Sequence, residues 1–196
     1  MRRYIAGMAA AAVAVCCAGT AAAAVRTSGL HLQQPTTVRY GAKLTLHGTA
    51  PGGSPVSLVA AGGGKAAQAV LSTEANGVGS FKFEVTPSAS TTFVASSDFG
   101  IAKVVVNVMP RIGLRRNGTV RVAPVALFAG KPVMLQQLVG GHWITLMRAE
   151  IGTSGVAQVA HWTPGQTLRA YVPGIGHGFV AGTSKILTAD GGLILR

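Results

Sequence analysis

Cysteine is missing from all but the first 17 residues: Cys16 and Cys17 are the only two in 196 positions, and both lie in an apolar N-terminal run. The chain beyond them has no disulfide of its own, no thiol nucleophile and no cysteine to hold a metal. Acids are nearly as scarce, five Asp plus Glu against 17 Lys plus Arg, a formal balance of +12. A carboxylate pair doing acid–base work needs two acids in contrasting surroundings. Glu74, Glu84, Asp98, Glu150 and Asp190 are instead spread along the chain, none beside another. Charged residues make up only 11% of the chain while 48% are hydrophobic, which excludes a charged disordered polypeptide. After the N-terminal stretch no run of about 18 apolar residues occurs, so no later segment is expected to span a membrane. The 27 glycines oppose long helices.

What is present begins with an address. Arg2 and Arg3 precede a weakly hydrophobic stretch from Tyr4 to about Ala18, followed by Gly19, Thr20 and four alanines. A short positive region, an apolar core and an Ala22-x-Ala24 site predict a secretory signal over residues 1–24, cleaved after Ala24 or, second choice, Ala21. The alternative is an uncleaved anchor. Val15 is not the small residue that lipidation of Cys16 would require. Cleavage removes two arginines and no acid, so the balance becomes 12 − 2 = +10. The expected location is secreted, extracellular or associated with the cell envelope.

From Leu30 onward the apolar period is two. Leu44-Thr-Leu46, Val56-Ser-Leu58, Phe81-Lys-Phe83-Glu-Val85 and Val104-Val-Val106-Asn-Val108 alternate or form short β-branched blocks. Pro51-Gly-Gly, Gly62-Gly-Gly, Asn76-Gly and Thr86-Pro-Ser separate them as turns. Short strands at this spacing predict an all-β sandwich or barrel, and no segment has the cap, stripe and length of a helix of several turns.

The pattern then repeats. Ser54-Pro-Val-Ser-Leu58 corresponds to Lys131-Pro-Val-Met-Leu135 and Val85-Thr-Pro87 to Trp162-Thr-Pro164, both 77 residues apart. Gly63-Gly64 and Gly140-Gly141, then Asn76-Gly77 and Ser154-Gly155, fall between. Two tandem domains are expected, 25–108 and 109–190, with a tail over 191–196. The second copy passes from Ile112 and Leu114 to Val120 and Val122 through Asn117-Gly118, a dipeptide suited to a tight hairpin turn because both residues accept positive φ. It is therefore expected to lack a short edge strand.

Tyr40-Gly41, Leu44-Thr-Leu-His-Gly48, Ser54-Pro-Val-Ser-Leu58, Thr73-Glu-Ala-Asn-Gly77, Phe81-Lys-Phe-Glu-Val-Thr-Pro87, Gly130-Lys-Pro-Val-Met-Leu135 and Gly140-Gly-His-Trp143 resemble the bacterial immunoglobulin-like repeats of secreted proteins from high-GC Gram-positive bacteria. The resemblance runs over about residues 28 to 190. It implies two Ig-like β-sandwiches, and a role as spacer, adhesive unit or accessory to a cell-wall enzyme.

Catalytic patterns are not found. The sequence contains no Gly-x-Ser-x-Gly elbow, phosphate loop or dinucleotide fingerprint, and Gly174-Ile-Gly-His-Gly178 reads as a loop between terminal strands. His31, His47, His142, His161 and His177 have no ligand spacing. No catalytic residue, metal or cofactor is assigned. Trp143 and Trp162 suit sugar stacking; the alternation assigns Trp162 to the core and leaves Trp143 open.

One concentration of charge remains. Arg111, Arg115, Arg116, Arg121 and Lys131 lie in a stretch without acids between Asp98 and Glu150. With Ile112, Leu114, Val120 and Val122 inward, Arg111, Arg115 and Arg121 should share the outward face of one hairpin. Such a face holds polyanions through many weak, salt-sensitive contacts, or merely keeps an edge strand soluble. Without interleaved aromatics it does not suit dedicated nucleic-acid recognition. The expected function is a non-enzymatic binding or structural module at the envelope, its partners anionic envelope polymers or another secreted protein. The alternatives are an accessory beside an envelope hydrolase on another chain, or an enzyme without a recognisable motif.

Overall fold

The structure, a computed structural model, describes residues 29–33, 36–62, 65–159, 162–176 and 178–189, with 65–70 by main chain alone. The expected signal, Cys16, Cys17, His161, His177, Asp190 and the 191–196 tail lie outside the described residues.

The first strands follow the alternation. β1 (His31–Gln33), β3 (Leu44–Thr49) and β6 (Ser80–Val85) form one antiparallel sheet in the order β1-β3-β6; β2 (Thr37–Arg39), β4 (Pro55–Gly62), β5 (Lys65–Glu74), β7 (Thr91–Ser97) and β8 (Gly100–Met109) form another, β2-β8-β7-β4-β5. Leu44, Leu46, Phe81 and Phe83 from the first sheet meet Val56, Leu58, Phe93, Ala95 and Val106 from the second in one buried cluster. Their outward neighbours, Lys82 and Glu84, are exposed. β2 pairs parallel with β8, Val38 opposite Val108 and Arg39 opposite Met109, so the first strand leaves one sheet and joins the other. With β1, β3 and β6 in the places of strands A, B and E, and β4, β7 and β8 in those of C, F and G with β5 as C′, the order is that of an immunoglobulin-like sandwich, with no D strand among the described residues.

The second set runs β9 (Arg111–Leu114), β10 (Thr119–Ala123), a four-residue helix α1 (Val125–Phe128), β11 (Pro132–Val139), β12 (His142–Glu150), β13 (Val156–Gln158), β14 (Thr167–Val172), β15 (Gly182–Thr183) and β16 (Leu187–Thr188). Its sheets are β13-β10-β9 and β12-β11-β14-β15, with β16 also on β14. Among the described residues this is the order of the first set without a counterpart of β2. Val120, Val122, Phe128, Val133, Leu135, Leu168, Ala170 and Val172 form its buried cluster, joined by Ile151, Val159 and Phe179.

Several local details recur. The main-chain bonds Ser54 N–H to Pro51 and Gly53 N–H to Ala75 have counterparts in Lys131 to Phe128 and Gly130 to Ile151. The β4–β5 pairing slips between Leu58 and Val59, and the β11–β12 pairing slips between Leu135 and Gln136, 77 residues on. Beyond that hairpin the offset drops by one: Gly79 N–H bonds to Asn76 and Gly155 N–H to Gly152, 76 residues later. The turns thus align Phe81 and Phe83 with Ala157 and Val159. The spacing of 77 that matched Val85 to Trp162, and the pairing of Asn76-Gly77 with Ser154-Gly155, are corrected to 76, the hairpin having lost one residue. Trp162, half-buried, still packs against the second cluster.

The Asn117-Gly118 turn also differs from expectation. Only Gly118 takes positive φ, at 76°; Arg115 N–H bonds to Thr119 across a three-residue loop, and the Asn117 Oδ1 accepts the Thr119 N–H at 3.1 Å. Asn117 serves here as a side-chain acceptor, the other habit of asparagine in turns.

The two clusters touch. Val38 packs against both, and Val108, on β8, is fully buried in the second. Val180 N–H donates to the Val108 carbonyl at 3.0 Å, Ser90 N–H donates to Gly178, and Ser90 Oγ accepts Val108 N–H at 2.9 Å. Only Pro110, itself buried, separates β8 from β9.

Candidate anion-binding surface

The β9–β10 hairpin places three of the five sequence-derived cations as its alternation requires. Val120 faces Leu114, Arg121 faces Gly113, Val122 faces Ile112 and Ala123 faces Arg111. Val120 and Val122 are buried and Ile112 and Leu114 pack against them, so Arg111, Arg115 and Arg121 share the other side. That side continues across β13 with Val156 and Gln158 and contains no acid. Arg116 is exposed within the same turn. Lys131 belongs to a different element: it lies between α1 and β11, its N–H donating to Phe128 and its carbonyl accepting from Ile151.

Charge is unequally shared. Residues 111–189 contain Arg111, Arg115, Arg116, Arg121, Lys131, Arg148, Arg169 and Lys185 against Glu150 alone, or 8 − 1 = +7. Residues 29–108 contain Arg39, Lys43, Lys65, Lys82 and Lys103 against Glu74, Glu84 and Asp98, or 5 − 3 = +2.

Two cations that sequence reasoning did not single out join Arg111 at a cleft of about 470 Å³. It is lined by Arg39, Tyr40, Gly41 and Ala42, by Arg111 to Leu114, and by Lys185. The main chain sets each position. Arg39 pairs with Met109, Tyr40 N–H donates to the Met109 carbonyl at 2.8 Å, and Gly41, at φ 77°, turns the chain so that Ala42 N–H reaches the Arg39 carbonyl at 3.0 Å. Lys185 follows Ser184, one of two buried polar residues among those described. The Ser184 Oγ accepts the Ala170 N–H at 2.9 Å and donates to the Lys185 carbonyl at 2.7 Å. Nothing in the local pattern marks Arg39 or Lys185. Each is one cation in a mixed strand or loop, and only the pairing of β2 with β8 and of β14 with its neighbours brings them to Arg111.

Other candidates are less organised. His31, His47 and His142 are exposed, and no group of three His, Cys, Asp or Glu could hold a metal among the described residues. A smaller hollow of about 200 Å³ beside His31, His47 and Phe81 contains no acid. Trp143 is covered on one face by the Arg169 guanidinium, 4.1 Å from the ring centroid, and Arg169 Nε donates to Gln136 Oε1 at 2.9 Å. A sugar stacking on that face would have to displace the guanidinium. Among the described residues no helix is long and apolar enough to cross a membrane.

No family model matches the chain, and no curated protein matches it in sequence. Among solved structures, the human OSCAR ligand-binding domain is 18% identical, at a TM-score of 0.32, covering 82% of this chain and 96% of that one. The sulfur carrier protein SoxY from Chlorobium limicola f thiosulfatophilum is 13% identical, at a TM-score of 0.31, covering 49% of this chain and 99% of that one. Likeness at this level places the chain beside neither protein.

Proposed function

We propose that this protein is a secreted, non-catalytic β module that is held at the bacterial cell envelope by anionic polymers. In this reading it consists of two tandem immunoglobulin-like domains, 25–108 and 109–190, after a cleaved signal. One observation carries the binding role: Arg111, Arg115 and Arg121 share one exposed face of sheet β13-β10-β9 with no acid on it. Like charges held together on a rigid sheet repel one another, and a polymeric anion relieves that repulsion while releasing its own counterions.

The test is co-sedimentation of the protein with purified bacterial envelopes across a salt series, beside a variant carrying Arg111→Ser, Arg115→Ser and Arg121→Ser. Retention that falls with salt and with the variant supports the reading. Retention indifferent to both points to a neutral sugar or a protein ligand, and no retention at low salt ends it.

A second reading, an accessory to an enzyme on another chain, has its own support. The β11–β12 hairpin exposes Leu138, Val139, Ile144 and Leu146, and β12 is the free edge of its sheet. Exposed apolar side chains on an open edge suit protein contact. Under this reading, replacing Ile144 and Leu146 by Ser, rather than the arginines, abolishes retention.

A further inference from the structure

We propose that the cleft between the Tyr40-Gly41 turn and β9 is a discrete phosphate site, taking the phosphodiester of a phosphate-linked polyol chain. The proposal rests on the polyanion reading above and assigns it a ligand class and a second set of residues.

The first support is electrostatic. Arg39, Arg111 and Lys185 come from three separate segments yet line one cavity, and no acid lines it with them. Nor does any hydrogen bond or ion pair join one of these three side chains to a described residue. Three like charges around a concavity focus positive potential, and the energy of bringing them together is recovered when an anion enters. The second support is rigidity. Arg39 is fixed by the parallel β2–β8 ladder, Arg111 by the β9–β10 register and Lys185 by buried Ser184. The backbone therefore has little to organise on binding, which conserves affinity.

The shape and lining select the ligand. At about 470 Å³ the cleft falls within the usual range for small-ligand sites, roughly 300–1,000 Å³. Two guanidinium groups suit the paired oxygens of a phosphate. Ile112 and Leu114 lie beside them and offer apolar surface to the carbons of a short polyol. Nucleic acid is disfavoured because the lining has one aromatic, Tyr40, and its ring already packs on Phe179 with centroids 6.0 Å apart, short of the several platforms that stacked bases need. Arg111 belongs both to this cleft and to the Arg115–Arg121 face, so a chain seated in the cleft continues onto the hairpin.

Arg39 precedes Pro110 and the other two cations follow it, so the site exists only where the two sheet pairs meet. A bound phosphate then clamps their junction, and the ligand raises the stability of the docked form.

The experiment titrates the purified protein calorimetrically, at low salt, with poly(glycerol phosphate), with anionic phospholipid vesicles and with a single-stranded oligonucleotide. Two variants run beside it: Arg39→Ser with Lys185→Ser, which alters the cleft alone, and Arg115→Ser with Arg121→Ser, which alters the hairpin face alone. All four side chains are exposed, and far-UV circular dichroism checks that both variants fold. Each cleft cation removed should weaken poly(glycerol phosphate) binding about fivefold, and the polymer should raise the melting temperature of the wild type more than that of the cleft variant. If the cleft variant binds as the wild type does while the face variant loses binding, the cleft assignment is overturned and the polyanion reading stands. If the wild type binds no polymer at all, both fall. Tighter binding of the oligonucleotide or of vesicles overturns the phosphopolyol assignment.

Discussion

Phe128 offers a quantitative test of how the molecule is held together. It is fully buried, it stands edge-on to Phe179 at 5.4 Å between centroids, and it closes the end of the second cluster from a helix of only four residues. Phe128→Ala forfeits about 2 kcal/mol of transfer energy. It also opens a cavity of roughly 80–100 Å³, which at about 24 cal/mol per Å³ costs about as much again. The expected loss is about 4 kcal/mol, a large share of the roughly 5–15 kcal/mol typical of a folded domain. For an m-value near 2 kcal/mol/M, that moves the urea midpoint down by about 2 M. Two probes make the test sharper. Both tryptophans, Trp143 and Trp162, lie after Pro110, so their fluorescence follows the second sheet pair, whereas far-UV circular dichroism follows both. Because Val38, Tyr40 and Ala89 pack against the cluster that contains Phe128, both signals should shift together. A change below about 1 kcal/mol would refute the cavity argument, since it would mean that the site collapses around the missing ring. A shift in fluorescence alone would refute the coupling between the two cores.

Three further outcomes follow from single contacts. Gly48→Ala, near the end of β3, would drive a Cβ into the Phe81 ring and the His31 carbonyl oxygen, and should cost about 1–3 kcal/mol in urea unfolding; no loss would mean that the Phe81 ring and the β1 main chain both give way. Ser184→Ala leaves the Ala170 N–H without its hydroxyl acceptor and should cost about 1–3 kcal/mol, read as a lower melting temperature; an unchanged value would show that another acceptor replaces it. Arg169→Ala uncovers Trp143 and should shift its emission to the red at a stability cost of about 0.5–1 kcal/mol, and emission identical to the wild type would contradict the stacking.

The parts of this architecture that were legible in the sequence are those with short-range causes. The alternation of Leu44 with Leu46, of Val56 with Leu58 and of Phe81 with Phe83 reflects the strict two-residue period of a half-buried strand, and each of these residues is buried. The outward display of Arg111 and Arg121 follows from the same period. Long-range causes left no such mark. Arg39 reaches Arg111 because β2 crosses from one sheet to the other and pairs parallel with β8, an event for which Thr37-Val-Arg39 gives no local signal. Lys185 depends on a hydroxyl inserted between two short strands that pair with β14. The Trp143–Arg169 stack joins β12 to β14 across β11. The helix at Val125–Phe128 is a single turn, shorter than any periodicity can register.

The junction at Pro110 also sets how the protein behaves under load. A chain of beads on flexible string stretches at its strings first, and its reach varies with every thermal fluctuation of the linker. Here the connector is one buried residue, and β8 ends inside the core that β9 begins. Val108 is seated in the second cluster, while Val180 and Ser90 hold its main chain. Tension applied across the joint therefore meets packed side chains and strand ladders there, not a slack linker. A protease probing for a scissile tether between the halves meets occluded backbone at the one place where a tether would be.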